Sequence, residues 1–192
     1  MTCSILIPTR GRIEKLKRSI ESLISNASKS GHEILMRFDF DDHETRDYVA
    51  YLCSCSDRYR AIPGPRYEGW ASNNRFYQEL ASMARGEWCW VWNDDCLIHG
   101  PWDKVLSNVP DSAQFVQPYT YKLNQSVYHR CADNGFPLVR TKKLQSMFPL
   151  QHPIDKWLHD EIVVKEGHPV WWMDSVTVEH QRTQDETLGD RK

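Results

Sequence analysis

Three apolar runs, each emptying into a polar cluster, constrain this chain more than any other feature. SILIP (4–8) runs into Thr9-Arg10-Gly11-Arg12, EILMRF (33–38) into Asp39-Phe40-Asp41-Asp42, and the Trp-rich WCWVW (88–92) into Asn93-Asp94-Asp95. Each run has the length and composition of a buried strand. After the first, Ile13, Leu16, Ile20, Leu23 and Ile24 recur at helical spacing, with Thr9 the expected cap and Gly31 the expected terminator of the region. A helical stretch at 44–53 follows the second run, then a strand near Arg58–Ile62 broken by Pro63-Gly64-Pro65. A helix is expected over 70–84, where Phe76, Leu80 and Ala84 share a face and Gly86 follows. Strands alternating with helices predict an α/β fold with a mainly parallel sheet, in which ligands sit outside the carboxyl ends of strands. The three polar clusters therefore share one rim.

The second half is less regular. Residues 112–121 and 136–140 read as strands, 154–167 as a helix ended by glycine, and 169–180 as one or two strands. At 192 residues the chain suits one domain, taken here as residues 1–180 with a polar tail at 181–192. A net charge of -2 supplies no global attraction to nucleic acid or anionic membranes. Local excesses exist: residues 1–31 hold six Lys or Arg against two Glu, and residues 58–75 hold four Arg against one Glu. The start MTCSILIPTR has no signal-peptide pattern, so the six Cys suggest a reduced, cytoplasmic protein rather than a disulfide framework. Cys53 and Cys55 lack the second pair that a structural zinc site needs. No apolar run approaches the ~20 residues of a membrane span.

Two carboxylates carried out of a buried strand are costly unless a cation, a donor or water meets them. Asn93-Asp94-Asp95 can hold Mg²⁺ or Mn²⁺, because hard cations take carboxylate oxygens and leave positions open for a phosphate. In isolation a solvated turn with helix-capping acids would serve equally, and Asp39, Asp41 and Asp42 could be ordinary turn acids. Repulsion among so many acids on one rim favours a cation or ligand donors there.

In order and spacing these segments resemble the family 2 glycosyltransferases of GT-A fold. CSILIPTRGRIEKLKRSIESL is similar to that family's opening strand, PT loop and first helix, and EILMRFDFDD to its second strand and base-reading aspartate. EGWASNNRFYQELASMARGEWCWVWNDDCLI resembles its run from an asparagine-bearing helix, through Ala-x-Gly-Glu, to the D-x-D metal motif. The likeness is close over residues 3–100 and looser to residue 180. It implies a GT-A-type, Rossmann-like, mostly parallel sheet flanked by helices.

The resemblance also implies site residues. Pro8, Thr9 and Arg10 would line the nucleotide pocket, Asp39 would read the base, often uracil, and Asp41 would stand beside it. Asn93 replaces the first acid of the metal motif, which leaves Asp95 as the metal ligand and Asp94 as a contact to ribose, donor sugar or metal. His180 falls on the late strand whose histidine completes the metal site, and imidazole suits Mn²⁺ better than Mg²⁺. Asp160, or failing it Glu161, falls where the family places its catalytic base. Arg66, Trp70, Asn73 and Asn74 would lie near the donor.

The implied activity is inverting transfer of a sugar from a nucleotide-diphosphate donor, with UDP the expected nucleotide, to a hydroxyl on a saccharide or glycan. Interleaved basic and aromatic residues at 58–60, 66–70 and 119–122 leave open a second acceptor, a hydroxylated base in DNA. Nucleotidyl transfer is disfavoured because PTRGR offers one glycine where a phosphate loop needs several. A non-catalytic nucleotide-sugar binder, with Asn93 marking decayed metal chemistry, would bind donor without turnover.

Overall fold

The computed structural model describes residues 1–29, 31–67, 73–121, 128–129, 135–151 and 153–181. Trp70, the first turn expected of the third helix, Lys122 and the tail beyond Gln181 lie outside the described residues.

Strands β1 (Cys3–Pro8), β2 (Glu33–Asp39), β3 (Tyr59–Gly64) and β4 (Trp88–Val91) form where the apolar runs predict them. They pair in parallel in the order β3-β2-β1-β4. Helices α1 (Ile13–Ser25), α2 (His43–Cys55) and α3 (Asn73–Met83) form the crossovers. The remaining strands are β5 (Cys96–His99), β6 (Phe115–Tyr121), β7 (Tyr128–His129), β8 (Leu138–Arg140) and β9 (Val170–His180). They extend the sheet in the order β4-β8-β6-β9-β5, with β7 on β6. The β6–β9 pair is parallel, whereas β4–β8, β6–β8, β6–β7 and β5–β9 are antiparallel. Short helices α4 (Trp102–Ser107), α5 (Thr141–Ser146) and α6 (Ile154–His159) complete the described elements, and α6 widens into a π-helical segment, Asp160–Lys165. The glycine expected to end that helix, Gly167, does so with φ 76°. No described helix is long and apolar enough to cross a membrane.

The connection between β4 and β5 forces the sheet to curl. In a flat sheet four lateral steps of about 4.8 Å would separate these strands by about 19 Å. Five Cα steps from Val91 to Cys96 reach only about 17 Å when fully extended, and here the chain turns, with Cys96 N donating to Asn93 O at 3.3 Å. Curling brings β5 under α1, where Ser22 Oγ accepts from Ile98 N at 3.2 Å and Asn26 Nδ2 donates to Ile98 O at 3.2 Å.

Alternation along β4 divides the core. Trp88, Trp90 and Trp92 all face α1, α2 and α4, among Ile5, Ile7, Leu16, Ile20 and Trp102, while Cys89 and Val91 face α3 and α5. Trp90 Nε1 donates to Phe136 O at 2.9 Å and Trp92 Nε1 to Ser19 Oγ at 2.8 Å, so two of the indoles are buried with their polar atoms satisfied.

Two local expectations need correction. Thr9 does not cap α1: the helix starts at Ile13, so Arg12 holds the capping position without a side-chain cap, and the Thr9 hydroxyl three residues upstream bonds Asp94. Strand β3 is not broken at Pro63 but continues through Gly64, as an edge strand permits. The 169–180 segment is one strand with an interruption. Met173 pairs with Pro118, yet Thr177 pairs with the next residue, Tyr119, so Asp174–Val176 loop out. Ser175 adopts φ 70° there, and its carbonyl occupies the space that a Cβ on Gly100 would fill.

The packing makes Trp90→Ala costly, by about 3–5 kcal/mol, whereas Trp171→Ala, at a 38% exposed position, should cost under about 1 kcal/mol. Urea unfolding of the two variants against wild type checks the contrast.

Candidate active site

The carboxyl ends of β1, β2 and β4 deliver their polar clusters to one rim, and hydrogen bonds tie them together. Thr9 Oγ1 donates to Asp94 Oδ2 at 2.8 Å. Arg10 Nη1 donates to Asp39 Oδ2 at 2.7 Å and, with Nη2, grips Asp41 at 2.6 and 2.9 Å. Arg12 lies 2.9 Å from Asp94 Oδ1 and 3.2 Å from Asp95 Oδ2. Gly11 N donates to Asp42 Oδ2 at 2.7 Å, and Asp42 also caps α2 through Thr45 N at 3.2 Å. Pro8 ends β1 just below this loop. Repulsion among the rim acids is thus relieved in large part by arginines from the β1–α1 loop.

Asp39 has a second arginine behind it. Leu35, Arg37 and Asp39 share a face of β2 by alternation, and Arg37, 1% exposed, bonds Asp39 Oδ1. Arg37 Nε donates to Glu79 Oε2 at 3.1 Å, Nη2 donates to the Pro65 carbonyl, and its guanidinium lies 4.2 Å from the Phe76 ring centroid. A Cβ at Gly64 would collide with this guanidinium. A buried arginine with this many partners fixes the orientation of Asp39.

The turn after β4 is held from below and from the side. Tyr77 is within hydrogen-bonding distance of Trp92 O at 2.9 Å and Asn93 Oδ1 at 2.7 Å. Burial keeps the Tyr77 phenol well above its ordinary range, helped by the charges of Asp94, Asp155 and Asp95. From β9, Gln181 N donates to Asp95 O at 2.7 Å, and His180 Nε2 lies 3.1 Å from Asp95 Oδ1. Asp94 and Asp95 are 0% and 1% exposed. Burial pushes the Asp94 carboxyl up to about 6, with the Asp95 charge adding to it and Arg12 and Thr9 opposing. In contrast, Arg10 pulls exposed Asp41 down to about 2.

The structure thus gathers Thr9, Arg10, Asp39, Asp41, Asn93, Asp94, Asp95 and His180 on one edge. Arg66 is exposed, and its charge acts on Asp41. Asn73 opens α3, half-buried, but Asn74 Nδ2 is committed to the Leu150 carbonyl. Asp160 and Glu161 begin the π-helical segment, and their ion pairs run to Lys156, His159 and Lys165 of their own helix rather than to the rim. Lys156 and His159 hold the Asp160 carboxyl below its ordinary range. Sequence reasoning missed Arg12, Arg37, Tyr77 and Cys96. For Arg37 a signal existed, since a basic residue mid-strand on the same face as Asp39 requires a buried acid.

Three groups could hold a cation: Asp95, Cys96 and His180 have ligand atoms within 4.8 Å of one another. Their oxygen, nitrogen and sulfur donors suit a divalent ion, and neutral Asn93, turned to Tyr77, adds no charge to the set.

The chain matches the sequence family described as Glycosyl transferase family 2 over residues 4–154. No curated protein matches it in sequence. Among solved structures it is similar to a mannosyltransferase, PcManGT, from Pyrobaculum calidifontis in complex with GDP-Man and Mn²⁺, with 10% identity and a TM-score of 0.68 over 95% of this chain. It is similar to GalNAc-T7 with UDP, GalNAc and Mn²⁺, at 14% identity and a TM-score of 0.75 over 96% of this chain. S. aureus TarS in complex with UDP is a third, at 11% identity and a TM-score of 0.71 over 99%. The chain spans 57%, 44% and 63% of those three chains, so it corresponds to about half of each relative. These matches show the fold, a curled α/β sheet of GT-A type.

The raised Asp94 pKa has a definite sign. The folded state binds this proton more tightly than the unfolded chain, so the metal-free protein loses stability as pH rises from about 4 to about 6. Asp94→Asn should remove that slope and leave the metal-free variant more stable than wild type near about pH 7. Urea unfolding at the two ends of this window measures it.

Proposed function

Because this chain belongs to glycosyl transferase family 2, we propose that it transfers a sugar from a nucleotide-diphosphate donor to an acceptor hydroxyl, with inversion at the anomeric carbon. The observation that carries this reading is the single rim on which Asp39, held by Arg10 and Arg37, stands beside Asp94, Asp95 and His180. The unit we assign to it is residues 1–180.

Asp39 reads the base, and Pro8, Thr9 and Arg10 line the nucleotide. UDP is the proposed nucleotide: two of the three similar structures hold UDP and the third GDP-Man. Asp41 and Arg66, on the outer rim, and Asn73, at the start of α3, border the donor, and Trp70, outside the described residues, is assigned the same role. Asn93 and Asp94 contact ribose or sugar, whereas Asn74 serves through the Leu150 carbonyl that it supports. Asp95 and His180 would hold a divalent cation, Mn²⁺ in two of the three similar structures. When bound, that cation supplies positive charge to the departing diphosphate. Asp160 accepts the acceptor hydroxyl's proton as its oxygen bonds to the anomeric carbon and the bond to the diphosphate oxygen breaks. Its lowered pKa keeps it ionised, and Glu161 is the second choice.

A saccharide acceptor is favoured over a base in DNA. Arg60 is held by Glu33 and Met83 O at 2.9 Å, and Tyr67 packs on Phe76 and Arg75, so these groups of the basic and aromatic clusters are engaged internally. A reducing, cytoplasmic location is part of the same proposal: Cys3, Cys53, Cys55, Cys89 and Cys96 form no disulfide among the described residues.

Calorimetric titration of UDP with Mn²⁺, then with chelator, should show metal-dependent binding that Asp95→Ala abolishes. Undiminished binding by that variant would remove Asp95 from the site. Asp160→Asn should leave donor affinity unchanged and lower kcat by about 10²–10⁴-fold. Full turnover would move the base elsewhere, and donor binding without turnover in wild type would favour the non-catalytic reading.

A further inference from the structure

The two oxygens of Asp95 face different partners. Oδ2 lies 3.2 Å from Arg12 Nη1, whereas Oδ1 lies 3.1 Å from His180 Nε2 and 3.9 Å from Cys96 Sγ. His180 Nε2 is buried and, despite its closeness to the carboxylate, makes no hydrogen bond among the described residues. Cys96 and His180 are direct partners in the antiparallel β5–β9 ladder. Directly opposed residues project to the same face, with their Cβ atoms about 5 Å apart. Backbone register therefore puts a thiol beside the imidazole, and all three ligand atoms fall within 4.8 Å of one another. A cation on the Oδ1 side need not displace Arg12, which compensates the carboxylates from the Oδ2 side.

We propose that Cys96 is a third protein ligand, so that the cation site is an Asp95–Cys96–His180 centre selecting a thiolate-accepting ion of the Zn²⁺ or Co²⁺ class over Mg²⁺. Carboxylate alone suits hard cations, whereas a thiolate and an imidazole added to it favour zinc and cobalt in tetrahedral geometry. Three protein ligands leave one position open for a diphosphate oxygen of the donor. On binding, the Cys96 S–H proton passes to solvent and the sulfur lone pair enters the metal bond. The inference rests on the reading that Asp95 and His180 hold the donor's cation. The rival role for Cys96 is packing alone, beside Ile98 and Trp92 in the apolar core.

Cobalt spectroscopy of the full chain separates the two. Co²⁺ titrated into the metal-free protein should raise a thiolate-to-cobalt charge-transfer band in the near ultraviolet together with intense visible bands of tetrahedral cobalt, resistant to excess Mg²⁺. Cys96→Ser should lose the near-ultraviolet band and weaken Co²⁺ binding by about tenfold or more. Cys53→Ser with Cys55→Ser should keep it, which excludes that exposed pair as its source. Wild-type protein that shows no charge-transfer band, or a band unchanged in Cys96→Ser, overturns the proposal, and the wild-type spectrum decides even if the serine variant fails to fold. UDP titration with Mn²⁺ on the same preparation distinguishes the failures. UDP binding without a thiolate band removes Cys96 alone, whereas loss of both removes the donor-site reading with it.

Discussion

Two carboxylates buried side by side, Asp94 and Asp95, set the terms for the rest of the rim. Their desolvation must be offset, and the chain does so with Arg12 across both and the Thr9 hydroxyl on Asp94. That arrangement has a local cost. Thr9 bonds Asp94, just beyond β4, from three residues before Arg12, and α1 starts without the side-chain cap that is worth about 1 kcal/mol. The loop between β1 and α1 is therefore shaped by the site more than by its helix. Asp94 itself is incompletely compensated, as its raised pKa shows. Residual strain of this kind is expected where a site awaits a charged ligand.

The Asp39 side of the rim follows the opposite policy. Here both oxygens are met by arginines, Arg10 from the β1–α1 loop and Arg37 from β2, and the guanidinium of Arg37 is sandwiched among Glu79, Pro65 and Phe76. On the proposed reading, a rigid acceptor beside a less settled pair of acids would divide the labour between recognition and chemistry. The rigidity comes from a strand residue and a helix residue, elements with little freedom to move.

Much of this was legible in the residues. SILIP, EILMRF and WCWVW are buried enough on both faces to read as central parallel strands, and their polar exits marked the rim. What escaped was short or non-local. β5, α4 and α5 are four to six residues long, too brief for periodicity to declare them. The antiparallel pairs of the second half depend on a curl imposed by the four-residue link from β4 to β5. Cys96 meets β9 only once that curl exists, and Arg12 meets Asp94 and Asp95 only because β1 and β4 are neighbours in the sheet although far apart in the chain. Asp160 and Glu161 were located by likeness to a family, and the contacts of the free protein tie them to their own helix.

The looped-out residues Asp174–Val176 give β9 a change of phase. Along a regular strand the side facing the core alternates, so odd-numbered residues continuing from buried Met173 would point inward and His180 outward. Three extra residues, an odd number, reverse the parity: Val176 and Val178 join Met173 in the same core, and His180 inherits their side. The orientation of the histidine is thus decided about five residues upstream, at a turn whose carbonyl fits only against a residue without a side chain, Gly100. The rim is in this sense framed from a distance, by the parity of a strand and the emptiness of one glycine.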